Sequence, residues 1–324
     1  MIRQLTNFLS TKSTMMVLAF IALYFIWGST YLAIQIASET MPPLTMLGLR
    51  FGVAGFLMLG WLKLRGKKMP SLKQWWAAFI VGSLMLCLGT GSVALAMQHI
   101  PTGLTALLLT TVPLWMVLID WIWKGGARPS IIFFGGFALG LLGVFLLVDP
   151  ATFSEGLQVD AIAMLGVLGG AIFWSAGSIQ GKSCNLPDDP FLATAMQMAG
   201  GGIALLMAGF AIGEDVMISF DILSERSVFA WLYLLVFGSF IAFSAYIWLM
   251  RNTTPAKVST YAYVNPVVAM YLGWAFANEE ITSRILLASM LLISAVVIVI
   301  RFGPGKNTRK SLVSKSRFQI KRAG

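Results

Sequence analysis

Arg50 carries the most consequential chemistry in this sequence, because it is a cation inside the apolar run 42–62. Counting from Pro42, it lies about 12 Å along a helix axis. A charge at that depth is costly and needs protein, a wet cavity or a partner around it. No acidic residue sits at comparable depth. Two roles follow. Arg50 attracts a carboxylate or other anionic group of a ligand, or it caps carbonyls of a broken helix and snorkels toward Glu39 or Glu279.

A second set of polar and aromatic residues gathers around two prolines inside apolar runs. Pro113 has Thr110, Thr111 and Trp115 nearby, and Pro266 has Tyr261, Tyr263 and Asn265. Proline removes a backbone donor, so each is expected to kink its helix where a neighbour or a cavity satisfies the freed carbonyl. Paired interruptions point to a binding site, although a kink can also serve packing alone. Trp27 and Trp174 are deep aromatics that extend the candidate wall, suited to stacking and to cation–π attraction. Glu279 and His99 are the titratable candidates for ion coupling, both near one face. Asp120 is expected to pair with Lys124 or Arg128. One histidine and no clustered carboxylates argue against a metal site, and no cofactor is implied.

The elements that must position these residues are set by composition. The chain has 324 residues, 58% hydrophobic and 11% charged, whereas a soluble domain carries about 25% charged residues. Its solvent is therefore lipid. Apolar stretches near 14–36, 42–62, 73–97, 102–123, 130–148, 159–179, 190–212, 228–250, 256–278 and 283–302 each approach the ~20 residues that span a bilayer. The first is read as a retained span, since it is long, polar at Ser29 and Thr30, and lacks a cleavage pattern. Cys87 and Cys184 imply no disulfide framework.

Lys and Arg fall in alternate loops, leaving only Arg226 and Arg284 on the acidic side, which places both termini in the cytoplasm. The net charge of +10 is then a membrane-facing collar, with no nucleic-acid partner implied. The segment 303–324 reads as a basic, disordered tail against anionic headgroups.

The chain also aligns with itself at an offset of 147: Trp27 meets Trp174, Pro43 meets Pro190, Gly55 meets Gly202 and Arg50 meets Gln197. Five spans in each copy force opposite senses through the bilayer. The expected fold is all-α integral membrane, with ten transmembrane helices as two inverted five-helix repeats, 14–148 and 159–302. That plan belongs to secondary transporters, with the substrate where the halves meet. A membrane enzyme would need a nucleophile–base or metal constellation, and none is found. A channel would carry a symmetric polar ring.

Trp27-Gly28-Ser29-Thr30-Tyr31, Leu49-Arg50-Phe51, Val112-Pro113-Leu114 and the run Ser259 to Ala269 resemble the EamA family of the drug/metabolite transporter superfamily, nearest its YedA-type exporters. The resemblance extends from the first span to the tenth. It implies a bacterial inner-membrane exporter of small organic molecules such as amino acids, other metabolites or drugs, moved by alternating access through a central cavity. A passive facilitator is the alternative. In family terms Glu279 follows Pro266 by thirteen residues, whereas the first copy has Gly126 at the matching place. The resemblance sets no substrate and no oligomeric state, and a monomer would suffice.

Overall fold

Backbone in hydrocarbon finds no water for its N–H and C=O groups, so a chain this apolar closes its hydrogen bonds within helices. The computed structural model describes residues 11–126, 128–147, 158–215 and 223–302, and among the described residues there are helices and no strands. α1 comprises Thr11–Ile21, a π-helical segment Ala22–Trp27 and Gly28–Ala37; α2 is Pro43–Leu64. α3 joins Leu72–Gly82, π-helical Ser83–Gly91 and Ser92–Ala96, while α4 joins Thr102–Leu108, a 3₁₀ turn Leu109–Thr111 and Val112–Lys124. α5 is Ile131–Leu147, α6 Gln158–Ser183 and α7 Pro190–Ala211. α8 contains Glu225–Tyr233, π-helical Leu234–Phe243 and Ser244–Asn252; α9 is Pro255–Val258 followed by Tyr261–Ala277, and α10 is Ser283–Phe302.

Seven of these, α1 to α4 and α6 to α8, are long and apolar enough to cross a membrane. α5, α9 and α10 hold the shorter apolar stretches Ile131–Gly143, Val264–Ala277 and Ser283–Ile298. At 17 residues α5 covers about 26 Å, under the ~30 Å of a hydrocarbon core, and α9 is divided at Ser259–Thr260. The segment 303–324, expected to be a basic tail, lies outside the described residues.

Local chemistry explains the boundaries. Pro43 and Pro190 open α2 and α7, where the missing N–H costs nothing. Ser71 and Gln74 form a reciprocal capping box at the start of α3. α2, α4, α7 and α9 stop at residues with positive φ: Gly66 (76°), Gly125 (64°), Gly213 (83°) and Asn278 (54°).

The residues just after these stops tie antiparallel helices together. Glu214 accepts from the amides of Leu44 (3.0 Å) and Thr45 (2.7 Å) at the start of α2. At the other end of the same pair, Lys67 meets Asp189 at 2.8 Å, and Asp189 caps α7 through the amides of Phe191 and Leu192. Glu279 repeats the device on α4, accepting from Thr102 N (2.7 Å), Thr102 Oγ1 (2.7 Å) and Gly103 N (3.1 Å). Carboxylates complement the positive helix start. Gly126 has no side chain to do the same, and a Cβ there would collide with the Asp120 carboxylate.

α2 and α7 lie along one another, α5 packs on α10, and α6 on α3 and α4. Contact between α2 and α7 is at backbone distance: a Cβ on Gly202 would stand 2.8 Å from Gly52 Cα and 3.0 Å from Gly48 O. In lipid this close approach of small residues supplies the packing that the hydrophobic effect does not. Large apolar side chains such as Phe56, Phe145, Met207 and Phe210 cover the outside.

Candidate functional site

The π-helical segments of α1, α3 and α8 border one cavity of about 100 Å³ enclosed with α2, α4, α6 and α9. Each segment carries one extra residue in its turn, which rotates side chains out of the α-helical register; such bulges recur at functional sites. Two hydroxyls satisfy carbonyls five residues back within these turns, Thr90 to Met85 O (3.3 Å) and Ser239 to Leu234 O (3.4 Å). The π-helical segments thus accommodate small polar groups inside otherwise apolar spans.

Arg50 lines this cavity and is 3% exposed. Its Nε donates to Ser239 Oγ at 2.8 Å, and its Cζ lies 4.5 Å from the centroid of the Phe51 ring. Gly238 makes room for the guanidinium, since a Cβ there would strike Arg50 Nη2. Among the described residues Lys67 pairs with Asp189 and Arg226 with Glu39. Arg50 therefore has no carboxylate partner among them: Glu39 is engaged by Arg226 and Glu279 by the start of α4. Its Nη2 lies against Gly238, and both residues line the cavity.

Aromatic rings form the cavity floor. Trp27 meets Trp174 at 5.5 Å, Tyr246 at 5.0 Å and Tyr261 at 5.1 Å between centroids, and Trp174 meets Tyr246 at 5.4 Å. Edge-to-face geometry at 82° and 89° suits the ring quadrupoles. Tyr246 is fully buried and shares a 2.7 Å hydrogen bond with Ser178.

Of the residues expected from sequence, Trp27, Arg50, Trp174 and Tyr261 come together on the cavity wall. Thr110 and Thr111 do not: both are buried in the 3₁₀ turn and donate to Leu107 O (2.6 Å) and Leu108 O (2.8 Å). Trp115 packs edge-on against Phe137 at 5.8 Å, off the cavity lining, and its buried Nε1 has no partner. Asn265 serves α1, because its Nδ2 faces the carbonyls of Leu23 (3.2 Å) and Tyr24 (3.1 Å), at the π-helical segment, and Tyr261 (3.2 Å). The side chain of Tyr263 lies outside the described residues. His99 is exposed in the turn after α3.

Pro113 lies two residues past the 3₁₀ turn, at the second position of the helical segment Val112–Lys124, whereas Pro266 lies inside the helical segment Tyr261–Ala277, with α9 interrupted earlier, at Ser259–Thr260. The pair expected between Asp120 and Lys124 or Arg128 does not form; Lys124 Nζ instead donates to Gln180 at 2.5 Å. Thr90, on the cavity lining, and Ser239, bonded to Arg50, were not singled out from sequence, while Thr30, Tyr31 and Phe51, also on the lining, entered there only within motifs or as polar residues of a span. The available signal was small or hydroxylated residues beside glycine within apolar spans, as in Gly89-Thr90-Gly91 and Gly238-Ser239.

Comparison with known proteins accords with this architecture. The chain is 39% identical over 282 residues to the uncharacterized inner membrane transporter YedA of Escherichia coli strain K12, covering 87% of this chain and 89% of that protein. It is 25% identical to the uncharacterized transporter YvbV of Bacillus subtilis strain 168, over 88% and 91% of the two chains. A protein crystal structure at 18% identity superposes with a TM-score of 0.64 over 88% of this chain and 96% of that one, a likeness of fold. The model of the EamA-like transporter family matches twice, at residues 14–149 and 161–301, and the chain belongs to that family.

Proposed function

We propose that this protein is a secondary transporter of the bacterial inner membrane that exports small organic metabolites bearing a carboxylate, amino acids or related compounds, by alternating access. The observation that carries this is Arg50, a buried cation facing a cavity without an acidic partner among the described residues. A guanidinium fork matches a carboxylate, and Trp27, Trp174 and Tyr261 offer the organic part of the substrate an aromatic wall.

The wider plan is ten spans in two inverted repeats, 14–148 and 159–302, with both termini and the tail 303–324 in the cytoplasm. The reciprocal ties between α2 and α7 support it, as does the meeting of Trp27 with Trp174. Thr110, Thr111, Trp115 and Asn265 act as supports of α4 and α9 in this conformation, with Tyr263 retained as a cavity candidate. Glu279 and His99 are the candidates for proton coupling. No enzymatic role is assigned.

The test is counterflow in proteoliposomes against amino acids, organic anions, organic cations and sugars, repeated with Arg50→Gln. Loss of one charge-assisted hydrogen bond costs about 1.5–3 kcal/mol, so carboxylate flux should fall about 10- to 150-fold at limiting substrate. Flux of cations and sugars should be unaltered, as should the melting temperature. Equal carboxylate flux in wild type and Arg50→Gln would refute the role. Saturable counterflow favours a carrier, and conductance at channel rates would establish the channel alternative. Varying the pH gradient in the same vesicles separates proton coupling from passive flux.

A further inference from the structure

Resting on the reading of Arg50 as an anion-binding residue, we infer that a second, smaller space between α3, α6, α7 and α8 is the loading station for the same substrate. A small organic carboxylate that also carries an amino or hydroxyl group is received there, that group by Gln197 and the carboxylate by Lys182 and Arg251, before it passes to Arg50.

Position and geometry carry this together. Gln197 stands 147 residues after Arg50, the offset that also separates Trp27 from Trp174. Arg50 lines the main cavity and Gln197 lines the second space. Two copies of one unit in opposite senses would place equivalent residues of α2 and α7 in two such spaces, one opening toward each end.

Gln197 is 1% exposed, and its Oε1 has no hydrogen-bond partner among the described residues. A buried amide oxygen left bare costs about 1–3 kcal/mol, so this position awaits a donor such as an ammonium or hydroxyl group. Lys182 and Arg251 stand at the mouth, both exposed. Arg251 braces the loop before α7 through Pro187 O (2.8 Å) and Asp188 O (2.5 Å), which leaves its charge in place. Lys182 makes no ion pair among the described residues, although Asp120 is within electrostatic reach.

One layer of side chains separates the two spaces. Tyr246 lines the second space and touches Trp27 and Trp174 on the floor of the first. The second space measures about 30 Å³, close to the share of liquid volume of one water. In this conformation it is the closed partner of the larger cavity; the substrate enters from the mouth beside Lys182 and Arg251, and passes on toward Arg50 when Tyr246 and the neighbouring rings separate.

The test uses the full-length protein in nanodiscs with Cys87 and Cys184 replaced by alanine. Gly181→Cys puts a thiol on the wall, where a Cβ meets only Val81 at 3.4 Å and Leu186 at 3.8 Å. Labelling rates are compared for an anionic sulfonatoethyl and a cationic trimethylammonioethyl methanethiosulfonate. Relative to a free thiol, the anionic reagent should be favoured about tenfold, the low end of what field focusing gives, because Asp120, Asp188 and Asp189 lie within electrostatic reach of Lys182 and Arg251. Lys182→Arg should keep the preference and Lys182→Gln should weaken it. Phenylalanine, whose ammonium group can donate to Gln197 Oε1, should slow labelling saturably, at higher concentrations in Gln197→Leu. Absence of charge preference overturns the station; so does preference without saturable protection, which is the behaviour of a merely positive surface. A Thr90→Cys reporter in the main cavity separates the two readings. Preference there that depends on Arg50, with none at Gly181→Cys, removes the loading station alone, whereas no preference at either site removes the role of Arg50 as well.

Discussion

Trp27 and Trp174, 147 positions apart in the chain, meet edge to face with centroids 5.5 Å apart and planes at 82°. Trp27 lies in the first of the two family matches and Trp174 in the second, so contact between them joins the two matched segments. Truncating either ring removes an aromatic pair worth about 0.5–1.5 kcal/mol beyond its buried area. Trp27→Ala and Trp174→Ala should each lower the melting temperature and make the Gly181→Cys thiol label faster, because the floor beside Tyr246 loses a ring. Unchanged labelling in both variants would show that these rings do not form the barrier.

Gly238→Ala is expected to imitate a defect in Arg50 without touching its charge. The added methyl would occupy the place of Arg50 Nη2 and force the guanidinium away from Ser239. Carboxylate counterflow should fall by about tenfold, the loss of one charge-assisted hydrogen bond, while sugar flux is preserved. Ser239→Ala removes the same partner with no steric conflict and should act in the same direction by a smaller factor.

How far the site could be read from sequence depended on which physical signal each residue leaves. Arg50 was legible because a cation in an apolar run is costly wherever it points. Trp27 and Trp174 were legible because the repeat aligns them. The π-helical segments were not: one extra residue per turn barely disturbs hydrophobic periodicity, so Thr90 and Ser239 looked like tolerated polar residues in packed spans. Pro113 and Pro266 drew attention to Thr110, Thr111 and Asn265, yet those side chains satisfy the very backbone carbonyls that irregular helices leave free. The break inside α9 left no trace in the sequence for a related reason. Hydropathy continues through Ser259–Thr260, where the helix itself does not.

Asn265 should therefore behave as a structural clamp. Its Nδ2 serves carbonyls of Leu23, Tyr24 and Tyr261, and replacing it with leucine leaves buried acceptors unpaired at about 1–3 kcal/mol. Asn265→Leu should lower the melting temperature distinctly while leaving the substrate preference of the folded fraction unaltered. A changed preference at unchanged stability would return Asn265 to the cavity wall.

Glu214 and Glu279 make the same kind of contact on different helices, so their losses should resemble each other. Each accepts from two amides at the start of a partner helix, and removal of a capping side chain costs about 0.5–2 kcal/mol. Glu214→Ala and Glu279→Ala should each lower thermal stability by that order. The double variant should show nearly the sum, since the two contacts share no partner. If transport is proton-coupled through Glu279, Glu279→Gln alone should abolish the response to a pH gradient and Glu214→Gln should retain it.

Asp189 supplies the acid limb of stability at the opposite end of α2 and α7. Partial burial pushes its carboxyl up, but hydrogen bonds from Lys67 and from the amides of Leu192 and Phe191, with the Lys67 charge, outweigh this and hold it below the ordinary 3.8. A carboxyl lowered in the folded state binds its proton later than in the unfolded chain. Its contribution is then full above the ordinary value and is lost as pH falls through the lowered one. Melting temperature should decline with acidification in that window, and Asp189→Asn should flatten this part of the decline. Lys67→Met should weaken the dependence without removing it, because the capping amides remain, and the exposed ion pair itself adds only ~0–1 kcal/mol. A melting profile whose acid limb is identical in wild type and Asp189→Asn would show that the cap and ion pair contribute nothing to acid stability.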